Sequence, residues 1–233
     1  MDNKLTYDRE VEYDETKLRS EHKQILEWVG RDKKILEVGC HTGYFSAVLK
    51  KNGSRVTGME IYKPALEKAE PHLEKAVLGN VEDEQVWNEV SGDKFDVILF
   101  MHVLEHLVAP EDILEKFKEL LNENGIIIIC LPNINNWSNR LDMLKGNFNY
   151  TEQGVMDKTH LKFFNYFSAR KLIESVGLSV LDYSGVSWRV RFKIIPDRWI
   201  ARKVNDIYNT ILVKILSPNI TDKVIMYKTG IKK

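Results

Sequence analysis

Short apolar runs alternate with segments of helical composition along the first part of the chain. The apolar runs lie at 33–39, 54–61, 76–80, 95–101 and 125–132. Most are bounded by glycine or polar residues and are too short for helices, so they predict buried strands. Helices are predicted at 16–29, at 44–52, from Pro64 and at 111–125. This alternation predicts a doubly wound α/β fold over residues 30–132, with a parallel sheet covered on both faces and right-handed connections.

The second part of the chain predicts fewer regular elements. Residues 133–165 are rich in Asn and aromatic residues and read as irregular, while 167–176 predicts a helix and 178–184 and 223–228 predict strands. We divide the chain into an N-terminal segment and helix (1–29), a single domain (30–185 with 222–233) and a basic amphipathic insertion (186–221).

Composition and charge narrow the class of protein. Hydrophobic residues make up 43% of the 233 residues, which suffices for a full core and excludes a disordered chain. The 34 basic and 34 acidic residues cancel, which disfavours a nucleic-acid binder. The two cysteines of the chain lie in apolar surroundings, Cys40 directly after the run at 33–39 and Cys130 within the run at 125–132, which indicates a reducing compartment. No apolar run reaches the ~18–20 residues that cross a bilayer, and the charged N-terminus does not resemble a secretion signal. The expected location is therefore the cytoplasm.

The neutral total conceals a basic C-terminal part. Residues 188–233 carry eleven Lys/Arg and three Asp, and 198–216 show a helical period with one apolar face. We expect this helix to cover the substrate pocket as a lid, with contact to a second subunit or to an anionic membrane surface as alternatives. The oligomeric state stays open.

The predicted strand ends carry the candidate binding chemistry. Gly39 and Gly43 follow Glu37 and permit a tight turn that a ligand can approach closely. Glu60 ends the second strand and is spaced to accept the two hydroxyls of a ribose. The dinucleotide fingerprint G-x-G-x-x-G is absent, because His41 and Tyr44 occupy its later glycine positions, and this excludes a dehydrogenase.

These residues, followed by GNVED at 79–83 and FDVILFMHVLEHL at 95–107, resemble class I S-adenosylmethionine-dependent methyltransferases over residues 30–133. The resemblance implies a Rossmann-like, mostly parallel seven-stranded sheet with an antiparallel last strand. It also implies cofactor contacts for Glu37, Gly39, Cys40, Gly43, Glu60, Ile61, Asn80, Val81, Met101 and His102. By this resemblance Glu37 faces the amino end of the methionine part, and Glu60 binds the ribose. The adenine is contacted by Ile61, Asn80 and Val81. The methyl group is bordered by Met101 and His102. Two positions depart from the family pattern: His41 replaces the middle glycine, and Asn80 replaces the usual Asp.

The segment His102-Val103-Leu104-Glu105-His106 has metal-ligand spacing. On a helix its two imidazoles and its carboxylate would share one face and could bind one divalent ion. It also matches the inverted zinc-peptidase motif H-x-x-E-H. That motif needs a long helix of its own, whereas here the segment directly follows a buried strand. The competing interpretation is a packing motif without a metal.

His160 extends this interpretation. The combination resembles methyltransferases that make ubiquinone-type methyl ethers and others that methylate the terminal ribose of small RNAs, in which a Glu-x-x-Glu-His cluster and a later His can hold a divalent ion. Carried over, the ligands are His102, Glu105, His106 and His160, and His160 or His106 assists catalysis. Because His102 stands where those families have Glu, zinc, iron or nickel suits the site better than magnesium.

The run Asp157-x-Thr-His-Leu-x-Phe-Phe164 gives a closer resemblance, to bacterial methyltransferases encoded among cell-surface polysaccharide functions. We therefore expect O-methylation of a small molecule or of a glycan or lipid-linked acceptor. One alternative is an RNA-ribose 2′-O-methyltransferase, which needs a basic groove at the strand ends. The other is a non-catalytic partner subunit, against which Glu60 and the glycine turn count.

Overall fold

A seven-stranded mixed sheet forms the centre of the structure, a computed structural model that describes residues 18–187 and 217–232. The strands are β1 (Lys34–Val38), β2 (Arg55–Glu60), β3 (Lys75–Leu78), β4 (Phe95–Met101), β5 (Leu121–Pro132), β6 (Leu178–Ser187) and β7 (Asp222–Ile231). The helices are α1 (Ser20–Val29), α2 (Tyr44–Lys51), α3 (Lys63–Ala69), α4 (Glu84–Val90), α5 (Pro110–Phe117), α6 (Trp137–Leu144), α7 (Tyr166–Ser175) and α8 (Pro218–Thr221).

The strand order is β3-β2-β1-β4-β5-β7-β6. The first five strands pair in parallel, while β7 is antiparallel to both β5 and β6. This confirms the predicted α/β sheet with an antiparallel last strand. The order reverses between β1 and β4, which is where open α/β sheets bind their ligands.

The core lies on both faces of the sheet, as the doubly apolar strands predict. Successive side chains of a strand point to opposite faces. In β4, Ile98 and Phe100 pack into one apolar cluster, while Val97 and Leu99 pack into another with Ile25 of α1. The sheet is therefore covered on both sides, and its carboxyl edge is left for ligands.

The predicted helix at 111–125 is shorter in the structure. It ends at Phe117, a 3₁₀ turn follows, and β5 already begins at Leu121. Leu121 pairs with Phe95 of β4, and the side-chain amide of Asn122 donates to Asp96 at 2.7 Å. Sheet pairing thus overrides the helical composition of this segment.

Besides the four-residue α8, the structure contains two helices that the sequence did not predict. One is α4, between β3 and β4. The other is α6, within the segment read as irregular. The side chain of Asn136 caps α6 by accepting the N–H groups of Ser138 and Asn139, which is the usual N-cap arrangement.

The first two residues of the predicted insertion (186–221) still belong to β6, which ends at Ser187. At its other end the short helix α8 precedes β7, which begins at Asp222. The amphipathic segment at 198–216 lies outside the described residues, so its role stays a prediction, as does the domain division. Within 18–187 and 217–232, no helix has the length and apolar character needed to cross a bilayer.

Candidate active site

The turn from β1 into α2 uses backbone conformations that favour glycine. Gly39 and Gly43 have φ values of 73° and 75°, in the left-handed region that strains any residue with a Cβ. A Cβ on Gly43 would also lie 2.7 Å from Cα of Ala69 in α3. Between them, His41 adopts φ of 49°, which residues other than glycine rarely do. The turn thus accommodates His41 in place of the family's middle glycine.

Glu60 ends β2 with its carboxylate directed at this turn. Its Oε2 accepts the backbone N–H of His41 at 2.9 Å, and its Oε1 accepts that of Tyr62 at 2.9 Å. Each carboxylate oxygen has a further lone pair, so both can also accept hydroxyl donors. The carboxylate is therefore held in one orientation beside the glycine turn, as the binding of a ribose requires.

Glu37 lies buried in β1 below the same turn. The hydroxyl of Ser46 donates to its Oε2 at 2.5 Å. Burial raises the pKa of Glu37 from 4.5 to about 7, against the opposing effect of the Ser46 hydrogen bond. An approaching cation favours the charged form of a buried carboxyl group whose pKa is raised, so Glu37 is suited to bind an ammonium group.

The candidate adenine contacts lie at the ends of β2 and β3. Ile61 is 67% exposed, which leaves its side chain available to cover a flat ring. Asn80 makes a turn in which its Oδ1 accepts the N–H of Glu82 at 3.1 Å, while Val81 packs against the core. Cys40 is buried, and burial raises the pKa of its thiol, so this residue offers backbone contacts more readily than thiolate chemistry.

At the end of β4, Met101 and His102 border the next strand. The N–H of His102 donates to the carbonyl of Cys130 at 2.9 Å, and the backbone at His102 has a positive φ of 56°. Its ring lies between two groups, with Nδ1 3.4 Å from Glu105 Oε1 and Nε2 3.5 Å from Cys130 Sγ.

Glu105, His106 and His160 form a cluster with metal-ligand chemistry. One potential ligand atom from each lies within 4.8 Å of the others, and the two imidazole centroids are 4.8 Å apart. Glu105 is fully buried, and neither carboxylate oxygen has a hydrogen-bond partner among the described residues. The nearest charged partner of this carboxylate is His102, whose Nδ1 lies 3.4 Å from Oε1. Because neither oxygen makes a regular hydrogen bond, the carboxylate keeps acceptor capacity for a cation. His102 lies outside this group of three and contacts it through Glu105.

Backbone carbonyls orient both imidazoles of the cluster. Nδ1 of His106 lies 3.2 Å from the Thr159 carbonyl, and Nδ1 of His160 lies 3.1 Å from the Val155 carbonyl. A carbonyl only accepts, so each Nδ1 carries the hydrogen and each Nε2 keeps a lone pair for a metal or a proton. Burial lowers the pKa of His160, although Glu105 acts in the opposite direction, and this keeps the ring in the neutral form that binds metals.

The loop that carries His160 is anchored to the other half of the cluster. The carbonyl of Glu105 accepts the N–H groups of Leu161 and Lys162 at 2.8 and 3.0 Å. Asp157 accepts both the N–H and the hydroxyl of Thr159, at 2.9 and 2.7 Å. Sequence reasoning missed these supporting roles of Asp157 and Thr159, although the spacing in Asp157-x-Thr-His160 already carried the signal.

A family model described as a methyltransferase domain matches residues 7–183. The chain belongs to the S-adenosylmethionine-dependent methyltransferases. Ubiquinone biosynthesis O-methyltransferases are similar to it in sequence. That of Actinobacillus pleuropneumoniae serotype 7 is 35% identical over 109 residues, 43% of this chain and 46% of the relative. That of Coxiella burnetii strain Dugway is 27% identical over 164 residues, 68% of each chain. The first match thus spans less than half of the relative's length.

Solved methyltransferase structures share this fold. One, from Archaeoglobus fulgidus, has a TM-score of 0.60 at 14% identity, covering 89% of this chain and 91% of its own. Another is magnesium protoporphyrin IX methyltransferase from Synechocystis with bound S-adenosylhomocysteine, with a TM-score of 0.60 at 13% identity, covering 91% of this chain and 82% of its own.

S-adenosylmethionine is the cofactor of this methyltransferase. The residues present fit it, because the glycine turn allows a close approach, Glu60 offers a fixed pair of acceptors, and Glu37 provides a buried acid for an ammonium group. By contrast, the long helix of the inverted zinc-peptidase motif is missing, since Leu104–His106 forms a single 3₁₀ turn.

Proposed function

We propose that this methyltransferase transfers the methyl group of S-adenosylmethionine to a hydroxyl oxygen of a small molecule or of a glycan or lipid-linked acceptor. The observation that carries the proposal is the buried carboxylate of Glu105, which lies 3.4 Å from His102 Nδ1, makes no regular hydrogen bond within the described residues and faces two oriented imidazoles. The named activity of the ubiquinone relatives supports an oxygen acceptor. These comparisons give no support to the RNA-ribose or non-catalytic alternatives.

The proposal assigns the strand ends to the cofactor. Glu37 binds the amino group of its methionine part, and Gly39, Cys40 and Gly43 let the backbone approach it. Glu60 accepts the ribose hydroxyls. Ile61, Asn80 and Val81 surround the adenine, and Met101 and His102 border the methyl group. Two observations favour these roles: the carboxyl group of Glu37 is buried, and hydrogen bonds hold the carboxylate of Glu60 in one orientation.

The reaction needs alignment and the removal of one proton. The acceptor oxygen forms a bond to the methyl carbon as the C–S bond breaks, and the bonding pair returns to sulfur, leaving S-adenosylhomocysteine. Holding the two reactants in line can contribute ~7–11 kcal/mol to the barrier reduction. The hydroxyl proton passes to Nε2 of His160 or His106, whose lone pair is kept available by the carbonyl at Nδ1.

Glu105, His106 and His160 also fit a divalent metal ion. They supply one carboxylate and two imidazoles, a set that suits zinc, iron or nickel. When bound, such an ion would lower the pKa of an acceptor hydroxyl. His102, also predicted as a ligand, is placed to orient Glu105, since its Nδ1 lies 3.4 Å from Oε1. Two features of the site are present without a metal: the imidazoles of His106 and His160 are oriented by backbone carbonyls, and the carboxyl group of Glu105 is buried.

The proposal is tested with His160→Ala and with His72→Ala as a matched control outside the cluster. Metal content after dialysis against zinc, iron or nickel should fall in His160→Ala and stay unchanged in His72→Ala. Methyl transfer to a panel of phenols, catechols and sugars should fall by ~10²–10⁴-fold in His160→Ala, the range for loss of general-base help. Unchanged transfer and unchanged metal content in His160→Ala would contradict the assignment.

A further inference from the structure

An open cavity of about 420 Å³ lies between α6 and the loop at 147–156. It is separate from the glycine turn and Glu60. Most of the side chains that line it are polar, and five of them are amides. Its lining includes Asp142, Asn147, Phe148, Asn149 and Val155.

This cavity shares a wall with the Glu105–His106–His160 cluster. Val155 lines the cavity, and its carbonyl holds Nδ1 of His160 at 3.1 Å. A series of aromatic contacts makes a second connection: Phe148 in the cavity lies 6.5 Å from Phe163, which lies 6.2 Å from His160. The cavity and the cluster are therefore direct neighbours, separated by Val155 and by the rings of Phe148 and Phe163.

The cavity combines exposed polar side chains in its lining with exposed aromatic rings in and beside it. Among the described residues, no hydrogen bond engages the side chains of Asp142, Asn147 or Asn149. Phe148 and Tyr150 are 53% and 58% exposed and contact each other edge-on at 5.8 Å. An exposed aromatic patch rimmed by polar residues is the kind of surface that marks a ligand-binding groove.

The chemistry of the lining selects one class of ligand. A mainly apolar acceptor would desolvate the amides and the carboxylate without replacing their hydrogen bonds to water, which is unfavourable. A sugar ring presents hydroxyls at its edge, which both donate and accept, and C–H groups on its faces, which pack against aromatic rings. Amides match such hydroxyls because they carry both a donor and an acceptor.

We propose that this cavity binds the sugar ring of a hydroxyl-rich acceptor and presents one of its hydroxyls to the His160 side of the site. Phe148 supplies the apolar face, and Asp142, Asn147 and Asn149 supply the hydrogen bonds. The inference rests on the proposed function for the methyl-transfer step, but the binding of a sugar can be measured without that step.

The test measures binding of methyl glycosides of hexoses and 6-deoxyhexoses by saturation-transfer NMR to the full chain with S-adenosylhomocysteine. Asp142→Ala and Phe148→Ala should each weaken binding about tenfold, the loss expected for one strong contact. Leu144→Ala is the control, because Leu144 lies on α6 with Asp142, is 83% exposed and is not part of the cavity lining. Phe148→Tyr should bind as the unaltered protein does.

The outcomes separate this inference from the proposed function. If no glycoside binds at millimolar concentration, or if the cavity variants bind as well as Leu144→Ala, the sugar assignment is overturned. If glycosides bind as expected but no acceptor is methylated, the assignment stands and the proposed reaction fails. If a phenol is methylated with a KM that the cavity variants leave unchanged, and glycosides do not bind, the reaction stands and the cavity has another use.

Discussion

Replacing Glu105 with Gln removes a buried negative charge while keeping the shape of the side chain. The Glu105 carboxylate is fully buried, and neither oxygen has a hydrogen-bond partner among the described residues. The backbone carbonyl that anchors Leu161 and Lys162 is unaffected by the change. The substitution should therefore act on cation binding and leave the loop in place.

The expected size of the effect follows from linkage between binding and folding. A metal ion at a hundred times its dissociation constant stabilises the folded state by about 2.7 kcal/mol. For a chain of this length each kcal/mol shifts the melting temperature by about 2–4 °C. The unaltered protein should thus melt about 5–11 °C higher with the metal than with a chelator, whereas Glu105→Gln should show almost no difference.

Differential scanning fluorimetry measures this directly, with zinc, nickel, manganese and magnesium each compared with EDTA. Glu123→Gln is the control, because Glu123 is exposed and its substitution removes the same charge at a position outside the cluster. The reasoning is refuted if no metal raises the melting temperature, or if Glu105→Gln responds as Glu123→Gln does.

Two further predictions concern the cofactor site. Glu60→Ala should weaken S-adenosylhomocysteine binding by roughly 1–3 kcal/mol in titration calorimetry, and equal affinity would contradict the ribose assignment. Because the pKa of Glu37 is raised to about 7 in the fold, its contribution to stability is present below pH 4.5 and is lost as the pH rises to 7. Glu37→Gln should flatten this fall, by about 3 kcal/mol at most, in urea unfolding at pH 4–8, and identical pH profiles would disprove it.

The fold was readable from the sequence because it depends on local patterns. Strands that are apolar on both faces occur only where both faces are covered, so 95–101 predicts β4 with its observed bounds. The strand ends then converge at one edge of a parallel sheet, which brings the glycine turn and Glu60 together. The limits of β5 were not readable, because Leu121 joins the sheet through its pairing with Phe95.

What the sequence by itself determined is the family, the α/β sheet and the identity of the residues at its carboxyl edge. The tertiary structure decided which histidines meet. It placed His160 beside His106 across 53 intervening positions and positioned His102 against Cys130, outside the three-residue cluster. It also revealed the cavity beside α6. The physical reason is that ligand geometry depends on which loop carbonyls accept from each imidazole, and those contacts form only between segments distant in the chain.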